Sequence, residues 1–257
     1  MITGLYKSAW GAMAAQIRHE VVANNMANVN SPGFRPDYAV LRSYKTRSEA
    51  AGESPRPDRR RLWTVGGGGM IAETRTAHVA GPKRSTGLST DLAIVGNRGF
   101  FMVERNEEIR YTRAGNFRVN SAGELVTADG NWRVLGESGS PLQVETGNFT
   151  VGGDGEVRSA RTGETIDQVA LRDFEHPELL YKTGQNLFAA PGSAGERQAR
   201  ADSHIQQGAL EMSGTNAAQT MVNMIEAMRS YEANINFVRM QDQLLGRAVT
   251  EIARLGG

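Results

Sequence analysis

The chain has 257 residues, a formal net charge of +1 and no cysteine. This length suits one large or two modest domains, and the near-neutral charge gives no global field that would attract nucleic acid or an anionic membrane. Without cysteine the chain has no disulfide, no cysteine-ligated zinc and no thiol catalyst, although the cellular compartment stays open.

The N-terminal segment, residues 3–29, is predicted to be an amphipathic helix. Lys7 and Arg18 fall on its polar face, whereas Ala12 and Ala15 favour helix and permit a second helix to approach closely. At helical spacing the opposite face collects apolar side chains, which are Ile2, Leu5, Tyr6, Ala9, Trp10, Met13, Ile17 and Val21.

This helix is predicted to end in an asparagine-rich stretch followed by the turn signal Ser31-Pro32-Gly33. Asparagine side chains compete for backbone hydrogen bonds, so they are poor helix formers. More of them are present than a helix stop requires, and we expect a specific packing role for Asn24, Asn25, Asn28 and Asn30.

Residues 32–84 have the least regular pattern and are predicted to be an extended, variable linker. The basic run Arg56–Arg61 has neither interleaved aromatics nor a recognisable binding module, so a solvated or subunit-facing loop is favoured over a nucleic-acid patch. The glycine run Gly66–Gly69 lacks the spacing of a phosphate-binding loop.

Residues 85–200 are predicted to form a β-rich central domain, barrel-like or sandwich-like, because turn signals recur about every eight to twelve residues. Two predicted hairpins within it, Phe117–Leu125 and Phe149–Val157, share Phe, Val and Gly at the same offsets. An internal duplication and an ordinary β meander both explain this similarity. Residues 201–213 are predicted to be a return strand.

No set of residues predicts catalysis or metal binding. Glu107 and Glu108 fall in a predicted hairpin turn, and Gly152-Gly-Asp-Gly155 supplies one carboxylate where a calcium loop needs several, so a plain turn is favoured. No close metal-ligand pair arises among His19, His78, His176 and His204. Because no nucleophile, base and oxyanion-binding group converge, we expect no enzyme activity, no cofactor and no catalytic or metal-binding residue.

The C-terminal segment, Thr215–Leu255, is predicted to be a long helix with a heptad seam. Nine of the ten seam positions are apolar or aromatic, and Asp242 is the exception, which either sets register or faces solvent. At 1.5 Å per residue the helix would be roughly 60 Å long, so its seam needs partner helices. The apolar and aromatic seam positions are Met221, Met224, Met228, Tyr231, Ile235, Val238, Leu245, Val249 and Ile252.

These elements predict an α+β chain in which long N- and C-terminal helices pair as a coiled-coil-like helical domain around a β-rich central domain. The helical domain is expected to comprise residues 1–31 and 214–257, because two apolar-striped helices at opposite ends of the chain can cover each other. No run of about eighteen apolar residues predicts a membrane span, and residues 1–7 do not resemble the start of a cleaved signal peptide.

Three stretches resemble sequence signatures of bacterial flagellar rod and hook proteins. The first is Ala23–Phe34, with the sequence Ala-Asn-Asn-Met-Ala-Asn-Val-Asn-Ser-Pro-Gly-Phe. The second is Asp91–Val103 with Tyr111–Phe117, and the third is Gln207–Asn216 with its continuation into Met221–Ile225 and Arg229–Asn234. The length suits rod subunits better than the longer hook protein, and the three stretches occur in the order that the family shows.

This resemblance implies a structural subunit of the flagellar rod, the drive shaft that assembles helically, transmits torque to the hook and encloses the export channel. Implied partners are copies of the chain, neighbouring rod and hook subunits, the bushing ring as a candidate neighbour, and the flagellar type III export apparatus. The implied location is the basal body, reached without a cleaved signal peptide. A soluble β-domain binding module and an enzyme acting on envelope polysaccharide are the rival functions.

The expected subunit interface combines the apolar helix faces with the asparagine-rich stretch. Neither nucleic acid nor membrane insertion is expected to contribute to it. Its residues are Leu5, Ala9, Met13, Ile17, Val21, Asn24, Asn25, Asn28, Asn30, Met221, Met224, Met228, Tyr231, Ile235, Val238, Leu245, Val249 and Ile252.

Overall fold

A computed structural model describes residues 2–43, 69–145, 148–198 and 203–255. Two long helices, α1 (Ile2–Ala27) and α2 (Ala217–Leu255), flank a β-rich middle, as the sequence predicts. The contacts divide the chain into unit 1, which is Met1–Met26, Asp37–Arg75 and Ala217–Gly257, and unit 2, which is Ala27–Pro36 and Thr76–Asn216. Within the described ranges, neither helix is long and apolar enough to cross a lipid bilayer.

The described residues between the helices form eighteen short strands and two 3-10 turns, Pro177–Leu179 and Gly192–Ala194. The strands are β1 (Asp37–Ser43), β2 (Gly69–Thr76), β3 (Lys83–Ser85), β4 (Leu92–Val95), β5 (Phe100–Arg105), β6 (Glu108–Thr112), β7 (Arg118–Val119), β8 (Leu125–Val126), β9 (Arg133–Val134), β10 (Phe149–Val151), β11 (Glu156–Ser159), β12 (Thr165–Gln168), β13 (Leu171–Phe174), β14 (Tyr181–Gly184), β15 (Leu187–Ala189), β16 (Glu196–Gln198), β17 (His204–Gln207) and β18 (Ala209–Glu211).

In unit 1 the two helices meet at small residues of α1. A Cβ at Gly4 would lie 2.9 Å from Nε2 of Gln241, and a Cβ at Gly11 would lie 2.5 Å from Oδ1 of Asn234. Residue numbers rise along one helix as they fall along the other, so the contact is antiparallel. Side chains without bulk are needed at such close approaches.

Unit 1 also contains the two-stranded sheet of β1 and most of β2. These strands, and all of β3 except Ser85, lie within residues 32–84, the predicted linker. The basic run Arg56–Arg61 and the glycine run before Gly69 lie outside the described residues.

The largest sheet of unit 2 has the strand order β14-β15-β6-β5-β9-β8-β7, and β13 branches from β5 and pairs in turn with β16. One edge of β5 pairs with β6, while its other edge is divided between β13, at Phe100–Phe101, and β9, at Val103–Glu104. Because two different strands share that edge, the sheet splits instead of curling around. The described strands therefore form no closed barrel.

Tight hairpins follow the turn signals of the sequence. Between β5 and β6, both Asn106 and Glu107 have positive φ, 52° and 65°, as a two-residue turn between twisted strands requires. Both hairpins predicted from the shared pattern are confirmed, with Val119 opposite Leu125 and Val151 opposite Val157. Their common register leaves the question of duplication open.

Strand β5 is buried on both faces and supplies two hydrophobic clusters. Phe101 and Val103 enter one cluster, whereas Phe100 and Met102 enter the other, because successive side chains point to opposite faces of a strand. The sheet around β5 is thus the centre of unit 2.

The predicted return strand is two strands, β17 and β18, separated by Gly208. β17 pairs with β4, and β18 pairs with β3. Ile205 of β17 packs into the first hydrophobic cluster, so this late segment completes the core of unit 2.

Candidate assembly surfaces and a buried charge cluster

The apolar stripe of α1 lies on the outside of unit 1. Tyr6, Trp10 and Met13 are 63%, 45% and 52% exposed, and they follow the i, i+4, i+7 spacing of one helix face. Gly4 and Gly11, which meet α2, lie on roughly the opposite side at 100° per residue. The expectation that the apolar stripes of the two helices cover each other within the chain is therefore wrong for these three side chains.

Helix α2 meets α1 at Asn234 and Gln241, and two residues that continue their seven-residue spacing, Thr220 and Ala227, are buried. Ala227 is fully buried and Thr220 nearly so, while Asn234 and Gln241 make the contacts with Gly11 and Gly4. Each of these four residues lies one position before the first seam position, position a, of a predicted heptad. The signal that could have found this seam is the seven-residue recurrence of small and polar residues, which a search for apolar residues overlooks.

Two exposed apolar stripes remain on α2. Met221, Ile225 and Met228 form the first, with the same i, i+4, i+7 spacing as the stripe of α1. Phe237, Met240 and Leu244 form the second, about 130° further around the helix at 100° per residue. The predicted single seam is therefore too simple, since α2 presents one face to α1 and two further apolar faces to its surroundings.

The predicted interface residues differ in their exposure. Those that are exposed are Ala9, Met13, Asn24, Asn30, Met221, Met228 and Tyr231. Those that are partly buried are Leu5, Ile17, Val21, Asn28, Met224, Ile235, Val238 and Leu245. The side chains of Val249 and Ile252 lie outside the described residues, and Asp242 is exposed.

Asn25 has the specific packing role expected of the asparagine-rich stretch, but it acts inside the chain. Its side chain is 7% exposed, its Nδ2 donates to the carbonyl oxygen of Asp37 at 2.6 Å, and its Oδ1 accepts from the Asp37 amide at 2.9 Å. One amide thereby fixes the start of β1 beside the end of α1. Since both polar ends are used within unit 1, Asn25 is a poor candidate for a subunit contact.

Unit 2 holds a buried charge cluster that we define as Arg35, Arg113 and Glu211. Glu211 Oε1 lies 3.1 Å from Nη2 of Arg35, and its Oε2 lies 3.5 Å from Nε of Arg113; all three side chains are at most 2% exposed. Burial lowers the pKa of Arg113 to about 10 and also lowers the pKa of Arg35, while Glu211 opposes both shifts. Because an arginine guanidinium is not deprotonated in proteins, both groups stay charged at neutral pH beside a single carboxylate.

The cluster is completed by backbone groups. Arg113 donates to the carbonyl oxygens of Gly96 at 2.7 Å and Arg98 at 3.2 Å, and the amide of Gly81 donates to Glu211 Oε1 at 3.1 Å. These bonds satisfy part of the buried charge, as burial of ions requires. No local sequence pattern indicates this cluster, because its members span 176 residues, from position 35 to position 211.

His78 lies beside the cluster, against Phe100 and Phe188, with ring-centroid distances of 6.0 and 5.9 Å. Burial, together with the charges of Arg35, Lys182 and Arg113, lowers the pKa of His78 to about 4, against a hydrogen bond with the backbone of Pro177 that raises it. The imidazole is therefore neutral at physiological pH.

No metal site is present among the described residues. No group of three or more acidic or histidine side chains there could hold a metal ion. In the turn Gly152–Gly155, the Asp154 carboxylate accepts from the Glu156 amide at 3.1 Å, which is a structural role.

A cleft of about 380 Å³ is lined by polar residues including Glu145 and Arg161, which pair with each other at 3.5 Å.

The chain matches known proteins over nearly its whole length. A family described as "Flagella basal body rod protein" matches residues 5–35, the D1 domain of the flagellar hook protein FlgE/F/G matches residues 93–159, and "Flagellar basal body rod FlgEFG protein C-terminal" matches residues 206–251. The flagellar basal-body rod protein FlgG of Borreliella burgdorferi is 32% identical over 96% of this chain and 98% of its own.

This chain belongs to the flagellar basal-body rod protein family. Other relatives are FlgG of Bacillus subtilis, 30% identical over 97% of this chain and 98% of its own, and the hook-basal body complex protein FlhO of the same species, 28% identical over 99% of this chain and 100% of its own. The three matched segments contain Arg35, Arg113 and Glu211 respectively. The buried charge cluster therefore joins all three parts of the rod-family sequence.

Proposed function

We propose that this protein is a structural subunit of the flagellar rod, which self-assembles helically into the axial drive shaft and transmits torque from the motor to the hook. The observation that carries the proposal is the exposure of three apolar stripes on the terminal helices of a rod-family chain. Exposed apolar side chains that line up along a helix face mark a site of protein–protein contact. Copies of the chain are the proposed main partners, with neighbouring rod and hook subunits at the ends and the bushing ring outside.

The two helices pair as a coiled-coil-like arm in this proposal. Small residues at Gly4 and Gly11 and the buried Ala227 bring them together, which leaves the bulky residues for neighbouring subunits. In this proposal the contacts between neighbouring subunits join unlike surfaces. Such contacts generate an open helical assembly when the rotation from one subunit to the next does not close a ring. The predicted interface residues that are exposed or partly buried, Asn25 excepted, belong to this contact.

The subunit reaches the basal body through the flagellar type III export apparatus and encloses the export channel once assembled. Export as an unfolded chain is compatible with the lack of cysteine, because no disulfide has to form or break.

A helix-face variant tests the proposal. Trp10→Ser removes an exposed aromatic ring from the stripe of α1, so the purified protein should keep its helix content and melting temperature. In a strain that carries only this variant, we expect no assembled rod and no motility, measured by electron microscopy of isolated basal bodies and by swimming assays.

Gln16→Ser is the matched control, since Gln16 is an exposed polar residue of the same helix. It should leave both readouts unchanged. Normal rods and normal swimming in the Trp10→Ser strain would contradict the proposal for this face.

A further inference from the structure

Three segments of unit 2 meet at a hydrogen-bonded hub, which we define as Gly33–Pro36, Ala77–Pro82 and Glu211–Gly214. The Gly33 amide donates to the carbonyl oxygen of Glu211 at 2.8 Å, and the Gly214 amide donates to that of Phe34 at 3.0 Å. The Ala77 amide donates to Pro36, and the Met212 amide donates to Pro82, each at 2.8 Å. Each segment is thus tied to another by backbone bonds.

These segments are also where the chain leaves unit 2. The chain enters unit 2 at Ala27, passes to unit 1 after Pro36, returns at Thr76 and leaves again after Asn216. Any force that the covalent chain carries between the helices and the β-rich unit therefore enters unit 2 within six residues of the hub along the chain.

Glu211 connects all parts of the hub. Its carbonyl oxygen accepts from the first segment, its carboxylate accepts from Gly81 in the second, and the same carboxylate pairs with Arg35 and Arg113. Arg113 follows β6, so the hub is anchored to the central sheet. Two more side chains hold the first segment and the residue before it, since Lys182 donates to the carbonyl oxygen of Arg35 at 2.6 Å and Asn186 donates to that of Pro32 at 3.1 Å.

We propose that the buried cluster Arg35–Glu211–Arg113 is a mechanical clamp, which holds the segments leaving unit 2 together under load and so transmits torque between the β-rich unit and the helices. Its role in torque rests on the proposed function as a rod subunit, whereas its mechanical strength is a property of the single molecule. Removing one partner of a buried ion pair leaves the remaining charges uncompensated, so the clamp is sensitive to a one-atom change.

The first experiment measures that strength on the full chain. The chain has no cysteine, so Arg18→Cys and Glu226→Cys provide two attachment points, one in each helix, for an optical trap. After the helices separate, the force acts on the first and third hub segments. We expect Glu211→Gln to shorten the lifetime of the folded unit 2 under constant force by about tenfold or more.

Glu145→Gln is the matched control, because Glu145 belongs to an exposed ion pair with Arg161. It should leave the lifetime unchanged, and equal lifetimes for Glu211→Gln and Glu145→Gln would overturn the clamp. If Glu211→Gln does not fold, Arg35→Lys keeps the charge and changes only the geometry of the pair. An unchanged lifetime in that variant would overturn the clamp equally.

The second experiment places the same variants in cells. With Glu211→Gln or Arg35→Lys we expect rods in isolated basal bodies, normal swimming in dilute medium, and a swimming speed that falls at least about twofold more steeply with viscosity than in the Glu145→Gln strain. The clamp would be overturned if the variants build rods but the swimming speed falls with viscosity as in the control strain. It would also be overturned if a variant folds but builds no rods. If a strain lacking the gene still builds complete rods, the proposed function fails while the trap result stands on its own.

Discussion

Arg35, Arg113 and Glu211 are almost completely buried, yet together they carry two positive charges and one negative charge. Such a cluster is weak evidence for stability, because desolvation of the ions offsets much of their attraction. We expect the cluster to contribute to specificity instead, because each buried guanidinium needs an arrangement that brings the Glu211 carboxylate to it.

His78 makes the stability of unit 2 depend on pH. Its folded-state pKa of about 4 lies below the ordinary value of 6.5, so the unfolded chain binds more protons between these values. The contribution of His78 is full above pH 6.5 and is lost as the pH falls towards 4. We expect a loss of up to about 3 kcal/mol in the free energy of unfolding across this window.

Denaturant titrations at several pH values measure this effect. His78→Gln should flatten the dependence between pH 6.5 and 4, whereas His204→Gln, at an exposed histidine, should not. A His78→Gln protein with the pH dependence of the native chain would show that His78 is not the responsible group.

Gly33 and Gly139 provide a test of close backbone packing. Both have positive φ, 66° and 80°, but a Cβ at Gly33 would lie 2.3 Å from the backbone nitrogen of Ala114, whereas nothing lies within 4 Å of a Cβ at Gly139. Gly139→Ala should cost about 1–2 kcal/mol for its conformation alone. Gly33→Ala should cost at least about 2 kcal/mol more, or prevent folding, measured by denaturant unfolding. Equal costs would contradict the close approach.

The two helices differ from ordinary amphipathic helices because their bulkiest apolar residues do not face each other. Small side chains let α1 and α2 approach within the chain, and the aromatic and methionine side chains stay outside. In the proposed assembly, this division assigns one set of residues to folding and another set to contact with neighbours. A substitution in the first set should be visible in the isolated protein, and one in the second only in the assembly.

Ala227→Leu tests the inner set. Ala227 is fully buried, so extra volume there should force the helices apart and cost about 1–3 kcal/mol. We expect a lower melting temperature of the helical signal in circular dichroism. Glu226→Leu, at the exposed neighbouring position, should leave that temperature unchanged; a similar loss in both variants would mean that Ala227 is not a contact residue.

For the whole molecule, the chain order and the folded units do not coincide. Unit 2 consists of Ala27–Pro36, near the start of the chain, and Thr76–Asn216, from its middle and later parts. Within it, β17 pairs with β4 and β18 pairs with β3. The β-rich unit therefore needs strands from beyond the predicted central region of residues 85–200. Contacts between such distant segments make folding slow and cooperative.

Limited proteolysis of the dilute protein checks this dependence. The outer faces of the helices lack cover, so we expect early cleavage within α1 and α2. The resistant fragment should extend beyond Gly214, because β17, β18 and Glu211 belong to the folded unit. Mass spectrometry gives its end; a resistant fragment ending near residue 200 would contradict the role of the return segment.

The sequence by itself determined the features that depend on near neighbours. Helical spacing predicted α1 and α2, and turn residues predicted the hairpins at Asn120–Gly123 and Gly152–Gly155, because these patterns follow from contacts within a few residues. The signature stretches predicted the family. The apolar spacing alone did not predict which helix face turns inward, since small residues at Gly4 and Gly11 outweigh bulky ones where two backbones approach closely.

Only the tertiary structure decided the order of strands, the splitting of the sheet at β5 and the meeting of Arg35 with Glu211. From a single sequence a charged residue is predicted to be solvated. Its ion-pair partner can lie anywhere along the chain and so cannot be identified. Burial changes that meaning: once desolvated, Arg35 and Arg113 require the carboxylate of Glu211, and the three-dimensional fold alone brings these residues within 3.1 and 3.5 Å of it.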